Sequence, residues 1–413
     1  MTSLKHRAQY VRGILALASG YLPGSSARFG VPRHFETSTY HWFAKDEAEN
    51  VAKRRTIQRG QNRYFHIEDG CFYRRKQPVY VDTVLQEKTL ASLNARLLPR
   101  FVASLNSGRV VGSCFGCVVT EDDTLLQDVS LNNADWCKEV EHKSEHDAFK
   151  KFYPPVNLRV DGEAIALNSP FSSNFHHFLL DTLPRLGLCE EAGLDWNSAE
   201  AIVTDYQQNR FQDEAFARLG IDPAKVLRVS PDLHLEAKAL HVPSISEPHC
   251  REEYVEYSSA GMEFVRSKIR PAIRSRKKRR LLLSRRLAKC RRWLEEDAAL
   301  PELESMGFVR IECELLSLEE QARLFGEAEV VIMPHGGGMA NCVFCDPGTK
   351  VFELFNPLYH PVFMLSLSNV LGLEYHAVAG DLRDGDDRHD NIGASVDVSI
   401  SPGKMIGLLK QYL

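Results

Sequence analysis

The sequence predicts an α/β protein made of two consecutive Rossmann-like halves, preceded by a strand-rich elaboration. Three observations predict it. From Glu163 onward, short apolar runs alternate with amphipathic segments, as in a parallel sheet with right-handed helical crossovers. That rhythm is interrupted once, by a linking helix expected at 253–269, and then resumes. Within the second half, residues 329–356 run from an apolar strand (Val330 to Met333) through Pro334 and His335 to Gly336, Gly337 and Gly338. A short helix, Met339 to Cys345, and a strand carrying Glu353 follow. Strand, glycine loop, helix start, strand and acid is the order of an anion site: a phosphate on the loop, and Glu353 on a ribose hydroxyl.

Composition bounds the function. A chain of 413 residues is long enough for two cores, and 44% hydrophobic with 26% charged residues describes a soluble globular protein. A net charge of −4 favours neither nucleic acid nor membrane as a partner. The charge is uneven, since Arg266 to Arg292 holds fourteen Lys or Arg and no acid. Ten cysteines without framework spacing read as reduced thiols. The pairs Cys114/Cys117 and Cys342/Cys345 spell Cys-x-x-Cys. The first lies in a strand-like run whose i and i+3 positions point to opposite faces, which argues against a shared zinc site. The most apolar N-terminal stretch, Tyr10 to Leu22, is too short to span a bilayer and contains Arg12. It has no small-residue cleavage motif. The expected location is therefore cytoplasmic, with the amphipathic N-terminal segment and the basic run as the candidate contacts with a membrane surface.

In chain order, residues 1–60 form an irregular arm. Residues 61–255 form the first domain, with strands between Arg63 and Asp82 and between Val110 and Leu131. A polar helix is expected over 142–152. Then come a strand at Ile165 to Leu167, a helix from Ser172 to about Ala192, and strands at 201–204, 226–229 and 239–242. Residues 256–385 form the second domain, with strands at 281–283 and 309–313 and a helix from Trp293 to Met306. Ser317-Leu-Glu-Glu320 is a capping box opening a helix to about Glu327. A helix at 362–371 and a strand at 375–378 follow the glycine loop. Residues 386–413 are a polar loop and a terminal helix from Pro402.

Three constellations carry chemistry. In a helix, Asn174, His177, Asp181 and Arg185 fall at spacings of three, four and four, a single polar stripe. A structural His/Asp pair is the plain alternative. Either member could serve as a general base, Asp181 orienting the imidazole, or His177 could bond a ligand phosphate. After the strand at 281–283 comes Ser284-Arg285-Arg286-x-Ala288-x-x-Arg291, where two guanidiniums can clamp a departing diphosphate. The plain alternative is a solvated basic face. The third is the glycine loop itself, with His335 and Asn341.

Together these stretches resemble the family 61 glycosyltransferases. The matches are Asn174, His177 and Leu183-Pro-Arg185, then Ser284, Arg285, Ala288 and Arg291, then His335, Gly336, Gly338, Asn341, Pro347, Gly348 and Glu353. Glu295 stands where the family commonly continues Asn-Glu, which leaves its role open. The resemblance implies the GT-B fold, two Rossmann-like domains facing across a cleft. It implies an inverting, metal-independent transferase that moves a sugar from a nucleotide donor, UDP above all, to a glycan, polysaccharide or glycolipid hydroxyl. Asp181 and His177 would be catalytic. Asn174, Arg285, Arg291, His335, Gly336, Gly337, Gly338, Asn341 and Glu353 would bind the nucleotide-sugar. No cofactor or metal is expected, and Asp384-Gly-Asp386 reads as solvated loop. A lipase-type reading of His335-Gly-Gly-Gly fails because no Gly-x-Ser-x-Gly occurs in the chain. Nucleic-acid binding by the basic run lacks interleaved aromatics. A nucleotide-sugar-binding protein without chemistry is the remaining alternative.

Overall fold

A computed structural model of the chain describes residues 31–45, 56–112, 115–131, 142–150, 153–169, 171–245, 255–272, 278–383 and 394–413. It is an α/β structure that divides into two compact units, Met1–Cys71 with Leu98–Arg251, and Phe72–Leu97 with Glu252–Leu413. The expected N-terminal amphipathic segment, Cys114 and the Asp384/Asp386 loop lie outside the described residues. None of the described helices is long and apolar enough to cross a membrane.

The first unit is built on a ten-stranded sheet. Its longest strand, Arg100–Val111, pairs antiparallel with Asn62–Glu68 over its first half and with Cys117–Val119 at its end. On its other edge it pairs antiparallel with His234–Pro243. From there the sheet is parallel, through Leu158–Ala166, Ala201–Thr204 and Val226–Arg228. The N-terminal strands and the Rossmann-like strands thus share one sheet. Buried Val, Leu and Ala side chains from both sets form one core cluster. Where a polar helix was expected at 142–152, the described residues form turns and the single 3₁₀ turn Asp147–Phe149. Too few apolar residues recur there to stabilise a longer helix.

The second unit is a fully parallel six-stranded sheet. Its order is Phe308–Ile311, Arg279–Leu283, Ala328–Pro334, Lys350–Phe355, Glu374–Ala379, Tyr80–Val81. The chain first steps outward from Arg279–Leu283 and then returns to its other side, so the order reverses between that strand and Ala328–Pro334. Ligands in open α/β sheets bind at such a switch point, beyond the carboxyl ends of the strands. Strand alternation sends Leu282, Val330, Ile332, Phe352, Leu354 and Val378 to one face, where they pack with Ala299, Leu303, Met405 and Leu409 of the helices Glu296–Ser305 and Pro402–Tyr412. Each such side chain contributes about 1.5–3 kcal/mol by burial.

Three boundaries differ from those read in the sequence. The described part of residues 1–60, expected as an irregular arm, forms the strands His34–Glu36 and Thr56–Arg59 and the helix Thr39–Ala44, and both strands join the sheet of the first unit. Residues 72–97, expected in the first domain, belong to the second unit. Tyr80 and Val81 pair with His376 and Ala377, and the buried Arg75 guanidinium bonds Glu256 at 2.8 Å. The terminal helix, expected apart from the domain ending at 385, packs into the core of that same unit. Both contacts join residues far apart in sequence, and a two-residue strand leaves no periodicity to read.

Candidate functional site

In the first unit, the stretch expected to be one helix is three segments. Phe175–His177 is a single α turn, 178–182 is a π turn, and Pro184–Glu191 is α-helical. Proline explains the break. Pro184 has no N–H for a carbonyl four residues back, and the chain widens so that Leu183 N–H reaches Phe178 O at 3.0 Å. Such π insertions are frequent at functional sites. The widening splits the predicted stripe. His177 and Asp181 stay together, with His177 Nδ1 and Asp181 Oδ2 2.7 Å apart. Asn174 caps the first turn, its side chain accepting from His176 N–H at 2.9 Å. Arg185 is turned inward and buried. It donates to the carbonyls of Ala166, Asn168, Pro243 and Ser244, tying the ends of two parallel strands. It is a structural residue, not a fourth member of the site.

Asp181 is 1% exposed and His177 7%, so carboxylate and imidazole are buried against each other. That arrangement orients the ring through its Nδ1, as a general base is held by a partner carboxylate. Phe171 lies against the His177 ring with centroids 5.4 Å apart, and it does so from a left-handed backbone, φ 57°. A phenylalanine rarely adopts that conformation, and strained residues cluster at working sites. No motif pointed to Phe171, because positive φ in a non-glycine residue leaves no mark in sequence.

In the second unit, the switch point brings two loops together. Ser284 to Arg292 follows the strand Arg279–Leu283, and His335 to Gly338 follows Ala328–Pro334. Arg285 folds back into its own loop, donating from Nε to Arg291 O at 3.2 Å and from Nη2 to Cys290 O at 3.1 Å. Its guanidinium lies against Gly336, where an added Cβ would come within 1.8 Å of Nη1. Gly336 has an extended backbone, φ 168°, so what it supplies is space for Arg285 rather than a left-handed turn. Gly338 is similar, since a Cβ there would meet Leu283 at 2.9 Å. Burial, and then the neighbouring charge of Arg291, pulls the Arg285 guanidinium below its ordinary value. Arg291 holds a left-handed φ of 57° and places its guanidinium 5.7 Å from the ring centre of Tyr359.

The basic run separates into two kinds of arginine. Arg266 and Arg270 reach Asp346, Arg279 reaches Glu327, Arg280 reaches Glu329, Arg286 reaches Glu312 and Arg292 reaches Asp397. Among the described arginines of the run, Arg285 and Arg291 are the two without an ion pair. Two neighbouring guanidiniums with no carboxylate partner among the described residues form an electropositive spot suited to an anion.

His335 stands beside it. Its Nδ1 is 2.6 Å from Glu353 Oε1, and Tyr375 Oη donates to Glu353 Oε2 at 2.6 Å. The ring stacks on Phe355 and meets Tyr359 edge-on, both at 5.5 Å. Glu353 was expected on a ribose hydroxyl. Its carboxylate is 0% exposed with both oxygens engaged, so it acts on His335 instead. Asn341 was also expected on the ligand. It is fully buried and donates to Gln321 Oε1 at 2.8 Å and Gly338 O at 3.1 Å, fastening the glycine loop to the helix Leu318–Gly326. The expected helix after the loop is the 3₁₀ stretch Gly337–Phe344, whose backbone makes a poorer dipole than an α-helix start. Gly337 is half-buried at its first turn. Glu295, whose role was open, accepts from Ile400 N–H and Ser399 Oγ and so anchors the C-terminal segment. Tyr359 and Tyr375 were missed by sequence reasoning. They lie outside the motifs, and only the sheet brings them to His335.

Residues 175–352 match the family model described as Glycosyltransferase 61. That span holds the His177–Asp181 pair and Arg285, Arg291 and His335, and it ends one residue before Glu353. A 63-residue segment is 38% identical to the protein named beta-1,2-xylosyltransferase RCN11 of Oryza sativa subsp. japonica. Over 63 residues the chain is 32% identical to the beta-1,2-xylosyltransferase of Arabidopsis thaliana. Each alignment covers 15% of this chain and 12% of the relative.

Proposed function

Residues 175–352 make this chain a member of the glycosyltransferase 61 family, and from that premise we propose that it transfers a sugar from a nucleotide-sugar to a hydroxyl of a glycan, polysaccharide or glycolipid. The observation that carries the reading is the pair Arg285 and Arg291, which make no ion pair among the described residues, Arg285 lying against Gly336 at the switch point of the second sheet. Transfer leaves a nucleoside diphosphate whose charge grows as the glycosidic bond breaks, and guanidiniums preorganised at that spot stabilise it most in the transition state. The 335–338 loop borders the same spot. UDP is the proposed carrier, and the xylosyltransferase relatives make a pentose a natural first donor to try.

In this reading the reaction inverts the anomeric centre and uses no metal, the arginines supplying the charge that a cation would supply. His177, oriented by Asp181, takes the proton of the acceptor hydroxyl as its oxygen attacks. The proposed fold class is GT-B.

Thermal unfolding with a panel of nucleoside diphosphates and UDP-sugars, with and without EDTA, tests this, since a ligand of the native state raises Tm. UDP should raise Tm, EDTA should leave the shift unchanged, and Arg285→Ala should abolish it. No shift with any nucleotide would overturn the reading. A shift lost in EDTA would overturn its metal-free form.

A further inference from the structure

We propose that Tyr375 and Glu353 are positioning residues for His335, forming a buried relay that holds the imidazole at the diphosphate site and passes it a proton when the anion binds. The inference rests on the donor-site reading above, and it assigns Glu353 and Tyr375 a task that neither the motifs nor the family match gives them.

The geometry comes from strand alternation. Met333 is the register partner of Glu353, and Val351 of Tyr375, so the side chains of Glu353 and Tyr375 share the face of the sheet that His335 reaches at its strand end. His335 N–H donates to Leu354 O at 2.9 Å, which fixes the backbone from which the ring projects. Tyr375 Oη, Glu353 and His335 Nδ1 then form a chain with two links of 2.6 Å. Glu353 and Tyr375 are 0% and 3% exposed, and His335, just beyond the carboxyl end of Ala328–Pro334, is 7% exposed.

A lone carboxylate in such a place is costly to ionise. Burial pushes Glu353 up to about 8, against the opposing effects of the Tyr375 hydrogen bond and the charge of Arg291. Near neutrality the Glu353–His335 pair therefore holds one proton and has no net charge. An arriving diphosphate favours the arrangement with the positive charge on the imidazole. The Glu353 Oε1–H bond breaks, an Nδ1–H bond forms on His335, and Tyr375 Oη–H continues to donate to Oε2. No co-reactant is needed, and the site gains a third cation. The other groups around the pair are Arg291 from the 284–292 loop, Cys342 from the 3₁₀ stretch, and Tyr359 and His360 from the loop after Lys350–Phe355, with Lys88 acting on His360 in turn. Burial, Lys88 and His335 push His360 down to about 3, and the Cys345 hydrogen bond, then burial and the charge of Glu353, raise the Cys342 thiol. Both stay neutral between pH 7 and 9.

Above about pH 8 the free pair loses its proton and binding must take one up. UDP affinity, measured by calorimetry, should be level near pH 7 and weaken by up to about tenfold per pH unit above 8. In Glu353→Gln it should be about tenfold or more weaker at pH 7 and then flat with pH. Tyr375→Phe removes a hydrogen bond to the ionised carboxylate, so the decline should begin at higher pH. In the nucleotide-free protein, ¹⁵N spectra of labelled histidine should show one ring whose titration moves in Tyr375→Phe. UDP affinity level from pH 7 to 9, or a His335 titration unmoved in Tyr375→Phe, overturns the relay while leaving the donor-site reading in place. Failure of UDP to bind overturns the donor-site reading, and the imidazole titration alone then decides the relay.

Discussion

At the scale of single residues, side chains of one chemical type do different work according to their partners. Fourteen basic residues crowd Arg266 to Arg292, yet the described arginines mostly end on carboxylates, and Arg285 and Arg291 do not. Exposed ion pairs of the first kind contribute little, about 0–1 kcal/mol each. The pair near Gly336 instead stores positive charge that a ligand can use. Gly336→Ala tests the packing behind it. A methyl within 1.8 Å of Arg285 Nη1 must displace the guanidinium, and UDP affinity should fall by about tenfold or more with the fold intact by circular dichroism. In the first unit, Asp181→Asn keeps the shape of the pair and removes its charge. Turnover should drop by about 10²–10⁴ while UDP affinity holds. Unchanged turnover would make the 2.7 Å pair a structural one.

At the scale of elements, the loops that matter are set by strand ends and by one widened helical turn. Across the turn at 178–182 His177 and Asp181 stay in contact while Arg185 turns under the sheet ends. Replacing Arg185 leaves buried carbonyls without their donor. Arg185→Met should cost about 3–5 kcal/mol and lower Tm by several degrees, read by calorimetric unfolding. If Tm is unmoved, those carbonyls have found other partners and Arg185 is available to the site after all. Helices with plain signals formed where they were expected: Ser317 and Glu320 make their reciprocal capping bonds, and Leu318–Gly326 follows. The run at 172–192 did not form one helix, because Leu183-Pro-Arg185 carries two instructions, a continued apolar period and a missing N–H.

At the scale of the molecule, the second unit buries histidines that must stay neutral. Burial depresses His376 to about 4 and His360 to about 3, in each case below the ordinary histidine value of 6.5. A depressed folded-state value means stability present above 6.5 and lost as pH falls toward 4, because the unfolded chain binds the protons that the folded one refuses. His376→Phe keeps the ring against Phe352, now 4.2 Å away, and removes one such group. Between pH 6.5 and 4.5, urea midpoints of this variant should decline less than those of the parent, by about 1.4 kcal/mol per pH unit at most. Parallel declines would mean that His376 is charged in the folded state. Glu353 acts over an overlapping range: raised to about 8, it subtracts stability as pH rises from 4.5 toward 8, and because it is present in both parent and variant, their difference isolates His376.

What the sequence determined by itself was what is local or periodic. Alternating apolar runs dictate strands and helices, Ser317 and Glu320 a helix start, and ordered motifs a family. Those patterns name His177, Asp181, Arg285, Arg291 and His335 because each lies a fixed number of residues from a strand end or helix turn. Only the tertiary structure decided which groups face one another. Tyr375 and Glu353 are 22 residues apart and Arg75 and Glu256 are 181 apart, and no spacing rule connects them. Sheet order sets those meetings, and sheet order depends on which buried faces pack best. The same packing sends Asn341 inward to Gln321, leaves Arg285 room at Gly336, and turns Glu353 from solvent to His335. Residue type supplied the chemistry, and desolvation in the folded sheet assigned its use.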